Sequence, residues 1–190
     1  MEGEFMYFNS PGPENTVETV KIAIRKAMER RISHIVAASN TGITVLALAA
    51  EARKQGYEGK MICVPHVYGF RENGKNELPD ENRAELEKQG IGVCIAAHPL
   101  SGTERCLSQK FQGVYPAEII AYTLRMFGQG MKVCVEIAAM ALDAGHIPWG
   151  QPIIAMGGTG RGADTAVLLS PAYSSTILDT KIHEILCKPR

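Results

Sequence analysis

The stretch Ile35-Val36-Ala37-Ala38-Ser39-Asn40-Thr41-Gly42-Ile43-Thr44-Val45-Leu46 constrains the fold more than any other part of the chain. An apolar run too short for a helix ends in a polar turn with one glycine. An Ala/Leu-rich segment follows. The pattern predicts strand, tight turn, helix. The first turn of such a helix carries unsatisfied N–H groups and a partial positive charge, so it attracts anions. Ser39, Thr41 and Thr44 add hydroxyls, and Gly42 lets the backbone approach a ligand closely.

The same alternation recurs along the chain. Phe5 to Pro13 is a turn-rich lead-in. Asn15, with Glu18 three residues on, reads as a capping box opening a helix to about Arg31. Ile32–Ala38 is the first strand, and Thr44–Lys54 the helix after it. Met61–Val67 is a strand, Tyr68–Pro79 a polar loop, Asp80–Gln89 a helix stopped by Gly90, and Ile91–Ala97 a third strand. His98–Val114 carries no clear periodicity. Helices are expected over Pro116–Phe127 and Met131–Ala144, and a strand over Gln151–Met156. A glycine-rich turn and two further β-rich runs, Thr165–Ser170 and Ile182–Cys187, complete the pattern. This is an α/β chain with a mostly parallel sheet covered on both faces by helices, and one domain is its simplest organisation. The helix Met131–Ala144 is apolar on most sides, which places it either centrally or at a subunit contact of a homo-oligomer.

The 190 residues are 45% hydrophobic with 20 basic and 20 acidic side chains, a composition that buries one sizeable core. No basic face or aromatic–basic interleaving points to nucleic acid. No apolar run reaches the roughly 18 residues of a membrane span. Met1 to Asn9 holds Glu2 and Glu4 and no apolar stretch of a secretory signal, so a cytoplasmic location is expected. Cys63, Cys94, Cys106, Cys134 and Cys187 form no Cys-x-x-Cys pair and read as reduced thiols, mostly in the core.

The turn Gly157-Gly158-Thr159-Gly160-Arg161-Gly162-Ala163-Asp164 follows a buried strand. It is not a P-loop, because Ala163 and Asp164 stand where Lys and a hydroxyl residue are required. It is not a dinucleotide fingerprint, because its order is G-x-x-G-x-G and a strand-like run follows. Its backbone N–H groups can form an anion nest, Arg161 can pair with a phosphate, and Asp164 can accept from ligand hydroxyls. The other reading is a wide turn held by an Arg–Asp pair. This turn and the Ser39–Thr44 loop both leave the carboxyl ends of their strands, the edge where open α/β sheets bind ligands.

The next two strands end in His66-Val67-Tyr68-Gly69-Phe70 and in His98-Pro99-Leu100-Ser101. His66 and His98 are either acid/base groups or histidines hydrogen-bonded at strand ends. Tyr68 and Phe70 either stack on a flat ring or cover the sheet edge. The five histidines show no metal-ligand spacing. Glu136 lies in an apolar helical run and needs a partner, a ligand or one of Arg105, Lys110 and Arg125.

Several of these stretches together resemble a known family. Ser39-Asn40-Thr41-Gly42-Ile43-Thr44 is similar to the Thr-x-Ser-Gly-x-Ser/Thr loop of the pyruvate kinase C-terminal domain, with Ile43 where the kinase loop carries a basic or polar residue. The whole chain resembles standalone proteins described as pyruvate kinase α/β-domain-like. The matching stretches are Pro11-Gly12 with Asn15-Thr16, Ala38–Gly42, Gly69-Phe70, Leu124–Gly130, Val133–Glu136, Gly157–Thr165 and Lys188-Pro189-Arg190. The resemblance implies a three-layer α/β/α sandwich with one antiparallel strand. It does not imply pyruvate kinase activity, which belongs to a separate barrel domain. It implies a phosphorylated small-molecule ligand, flavin mononucleotide (FMN) first. Its phosphate would sit at Ser39–Thr44, its ribityl chain on polar edges, and its ring against Tyr68 or Phe70. A regulatory module for a sugar phosphate or nucleotide is the alternative.

Overall fold

The computed structural model describes residues 5–190, so Glu2 and Glu4 lie outside the described residues. Seven strands, β1 (Met6–Phe8), β2 (His34–Ala38), β3 (Lys60–Val64), β4 (Gly92–Val93), β5 (Ile153–Gly157), β6 (Thr165–Ser170) and β7 (Lys181–Pro189), form one sheet in the order β1-β7-β6-β5-β2-β3-β4. β6 runs antiparallel to β5 and β7, and every other pairing is parallel. The expected single antiparallel strand is β6. Among the described residues, six α-helices accompany the sheet: α1 (Thr16–Arg30), α2 (Ile43–Gln55), α3 (Asp80–Lys88), α4 (Gly102–Phe111), α5 (Pro116–Arg125) and α6 (Gln129–Asp143).

The pleat sorts the buried strands between two cores. Ile35, Ala37, Ile154 and Met156 pack with Ile24 of α1 and Leu48 of α2 on one face. Val36, Ile153 and Ala155 pack with Ala138 and Met140 of α6 on the other. Strands covered on both sides have no polar face, which is why β2 and β5 read as continuous apolar runs. α6 is central, and every residue from Gly130 to Leu142 except Val133 is buried.

Several local expectations are corrected. Asn15 stands before α1 but does not cap it, because its Nδ2 donates to the carbonyls of Ser10 (2.8 Å) and Gly12 (3.3 Å) and folds the lead-in instead. The lead-in holds a strand, β1, at the sheet's edge. The third expected strand shrinks to Gly92–Val93. As an edge strand it has one neighbour, and after the Cys94 N–H bond to Cys63 O (2.8 Å) the chain turns away. The unreadable segment contains α4, a helix that buries none of its residues.

Topology sets one edge of the sheet apart. After β2 the chain passes through α2 to β3 on one side, whereas β5 lies on the other side of β2 and is reached through α6 on the opposite face. Between the carboxyl ends of β2 and β5 the connections therefore diverge, leaving the crevice where open α/β sheets take ligands.

Candidate functional site

The Ser39–Thr44 loop leaves β2 at this crevice. Ser39 is buried, and its Oγ accepts from Thr44 N–H (3.2 Å), capping the first turn of α2. Gly42 takes the left-handed conformation (φ +84°), and a Cβ there would sit 3.1 Å from Leu78. Thr44 is buried, while Thr41 and Ile43 face solvent. The Thr41 carbonyl accepts from Asn82 Nδ2 of α3 (2.8 Å).

Asn40 ties this loop to the next. Its Oδ1 accepts from His66 N–H (3.2 Å), and its Nδ2 lies 3.3 Å from His66 Nε2. An amide NH2 only donates, so Nε2 is the lone-pair nitrogen and the ring proton sits on Nδ1. Nδ1 meets Glu77 Oε2 at 2.5 Å, and Arg71 Nε lies 2.9 Å from the other Glu77 oxygen. The Phe70 ring stacks on the His66 ring with centroids 3.7 Å apart, and the Arg105 guanidinium stands 5.7 Å from the Phe70 centroid. Phe70 therefore lies against His66, and both Phe70 and Tyr68 beside it are exposed. Gly69 (φ +75°) donates to Lys75 O (2.9 Å) and folds this loop back, with a concavity of about 220 Å³ among Val67, Phe70, Arg71 and Glu77.

His98 stands next to this group, its ring 5.7 Å from that of His66. Its Nε2 accepts from Val67 N–H (3.4 Å), and its Nδ1 faces Glu136 Oε2 at 3.5 Å. Both histidines thus share one arrangement, Nδ1 on a carboxylate and Nε2 as acceptor. The partner of Glu136 is Lys132, one turn earlier on α6, not Arg105, Lys110 or Arg125. Its other oxygen accepts from Leu100 N–H (3.1 Å). Ser101 precedes α4 and donates its N–H to His98 O (3.2 Å).

Electrostatics follows from burial and these partners. Burial lowers the His66 pKa below its usual value against the pull of Glu77, with His98 and Arg71 helping to lower it. Burial pushes Glu136 up, but the His98 hydrogen bond and the Lys132 charge outweigh it and hold the carboxyl below its usual value. Burial pulls Lys132 down despite Glu136. Burial also raises the thiols, Cys63 to about 12, Cys94 and Cys187 to about 11, so these act as core residues, while Cys106 is exposed.

The glycine-rich turn is the connection of the β5–β6 hairpin, with Gly157 opposite Thr165. Gly158 is half-buried, while Thr159, Gly160 and Arg161 face solvent. Gly160 and Gly162 take positive φ (+79° and +69°), and Gly162 packs against Pro13. Asp164 is fully buried, so it is neither a solvent-facing acceptor nor the partner of Arg161. Its Oδ2 accepts from Gly12 N–H and Thr159 N–H (3.2 Å each) and its Oδ1 from Thr165 Oγ1 (2.8 Å).

Among the described residues, no three His, Cys, Asp or Glu side chains gather as a metal site, and no helix is long and apolar enough to cross a membrane. A larger concavity, about 430 Å³, lies along α5 between Val114, Ile119, Tyr122 and Met126 and includes none of the loops above.

The sequence spacing missed Glu77, Arg71 and Lys132. Lys132 was findable from its i, i+4 spacing to Glu136. Glu77 and Arg71 sit in a loop with no local signal.

The family model described as pyruvate kinase, alpha/beta domain, matches residues 18–169. The chain belongs to that family. Among solved structures, it is similar to Cryptosporidium parvum pyruvate kinase in complex with ADP, at 16% identity and a TM-score of 0.39. That similarity covers 93% of this chain and 25% of the kinase, so this chain spans about a quarter of the enzyme's length.

Proposed function

We propose that this pyruvate kinase α/β-domain protein binds a phosphorylated small molecule in the crevice between β2 and β5, with FMN as the leading ligand. The observation that carries the reading is the position of the Ser39–Thr44 loop, at the N-terminus of α2 and at the divergence point of the connections. The phosphate would lie on that loop with Thr41 at its exposed side. The solvent-facing part of the Gly158–Gly162 turn, with Arg161, would form the opposite wall. Tyr68 offers an exposed ring for the isoalloxazine, since Phe70 is stacked on His66.

Titrating the protein into micromolar FMN and following flavin fluorescence tests this. Saturable quenching is expected, weakened about tenfold in Thr41→Ala, the scale of one charge-assisted hydrogen bond. Absence of quenching rules FMN out. A rise in melting temperature with a sugar bisphosphate instead would mark an effector-binding module.

A further inference from the structure

The hydrogen bonds around His66 form a closed set that admits only one protonation state. Asn40 Oδ1 is committed to the His66 N–H, which turns Asn40 Nδ2 toward ring Nε2 at 3.3 Å. Nε2 must accept there, and Nδ1–H is given to Glu77. A second proton on Nε2 would set N–H against N–H and break the contact with Asn40. The protonated ring needs another acceptor, and the residue whose bond is broken belongs to the anion loop itself.

We propose that His66 is the charge-neutralising partner of the anion bound on the Ser39–Thr44 loop, taking up a proton as the anion arrives. This rests on the loop being the anion site. An oxygen of the ligand would replace Nε2 as acceptor for Asn40 Nδ2 and itself accept from Nε2–H. Glu77 keeps its contact with Arg71 and holds the imidazolium through Nδ1.

The other charged groups around the ring explain why the proton waits for the ligand. His98, in the loop between β4 and α4, has its ring 5.7 Å away, with Nε2 held as acceptor by Val67 N–H. Behind it, Glu136 and Lys132 of α6 compensate each other. Arg105 of α4 adds positive charge across Phe70. Glu77 is the carboxylate in direct contact with the His66 ring, and Arg71 shares it. Burial, with Arg71 and His98, holds the His66 ring below its usual pKa, and an incoming anion supplies the missing negative charge. The ligand class is therefore a fully ionised phosphate or sulfate group bound together with one proton.

Sulfate is the probe, because it carries no proton to exchange near neutral pH. The His66 ring is titrated by NMR with and without sulfate, and binding is followed independently by the backbone amides of residues 39–44. Sulfate should raise the His66 pKa by more than one unit. Its affinity should fall by up to about tenfold per pH unit above the titration point of the free protein, and become flat in His66→Gln. Asn40→Asp, which puts a carboxylate in place of the amide, should raise the His66 pKa without sulfate. Sulfate shifts at residues 39–44 with an unmoved His66 titration overturn this proposal and leave the loop site standing. No sulfate binding at all overturns the loop site and this proposal together.

Discussion

Asn40 holds His66 at two points, through the backbone N–H at 3.2 Å and ring Nε2 at 3.3 Å. The loop after β2 and the loop after β3 are therefore tied to each other through one side chain. Any group that loosens Asn40 also frees the face of His66 opposite Glu77.

The first prediction concerns pH and stability without ligand. The folded His66 pKa lies below the ordinary 6.5. As pH falls through that value the unfolded chain takes the proton first, so stability is present above it and declines below it. Urea denaturation between pH 8 and 5 should show a shallower decline in His66→Gln than in the wild type. The remaining slope includes His34, which burial and Lys60 lower in the same sense. Equal slopes would mean that His66 titrates alike in both states.

The second concerns the buried ion pair. Lys132→Met leaves the Glu136 charge facing His98 and Leu100 N–H alone, and should destabilise the fold by about 3 kcal/mol. The double variant Lys132→Met/Glu136→Gln should lose clearly less than the two single losses added together, because the pair is coupled. The folded Glu136 pKa lies below the ordinary 4.5, so its contribution is complete above that value and fades as pH falls through the folded one. Glu136→Gln should remove that part of the acid-induced loss. Additive single effects in urea melts would contradict the coupling.

What the sequence disclosed and what it withheld divide along physical lines. Strands covered on both faces are short apolar runs, α1 repeats its apolar residues at helical spacing, and α2 and α6 are longer apolar runs, so β2, β3, β5, α1, α2 and α6 are legible from local pattern. β1 is not, because three residues gain strand geometry only by pairing with β7 at the far end of the chain. α4 buries no residue, and its apolar side chains, Cys106, Leu107 and Phe111, are too few to set a period. At the site, the loop positions and both histidines are legible as polar groups at strand ends. Their partners are not, since Asn40–His66 and Gly12–Asp164 are bonds across 26 and 152 residues.

The third prediction tests how closely α6 lies on the sheet. A Cβ at Gly157 would fall 2.8 Å from the Gly130 carbonyl and 3.0 Å from Val133. The first neighbour is helix backbone and cannot step aside alone. Gly157→Ala should cost about 1–3 kcal/mol, the usual range for overpacking a tight core. A melting temperature equal to that of the wild type would show that α6 shifts freely.

The last prediction separates scaffold from binding wall in the glycine-rich turn. Asp164 accepts three hydrogen bonds with no exposure to solvent, and one of its oxygens takes two N–H groups from different segments, Gly12 and Thr159. Asp164→Asn must place its NH2 either against those two donors or against Thr165 Oγ1, whose hydroxyl can rotate to accept. The second placement keeps Oδ1 on the two N–H groups and weakens them by removing the charge. The expected cost is about 1–3 kcal/mol by urea denaturation, the range for a compromised buried charge-assisted network. Because the carboxylate faces inward, ligand affinity of the folded variant should match the wild type, whereas Arg161→Ala, on the exposed part of the turn, should weaken it. An Asp164→Asn protein of unchanged stability and reduced affinity would return Asp164 to the binding wall.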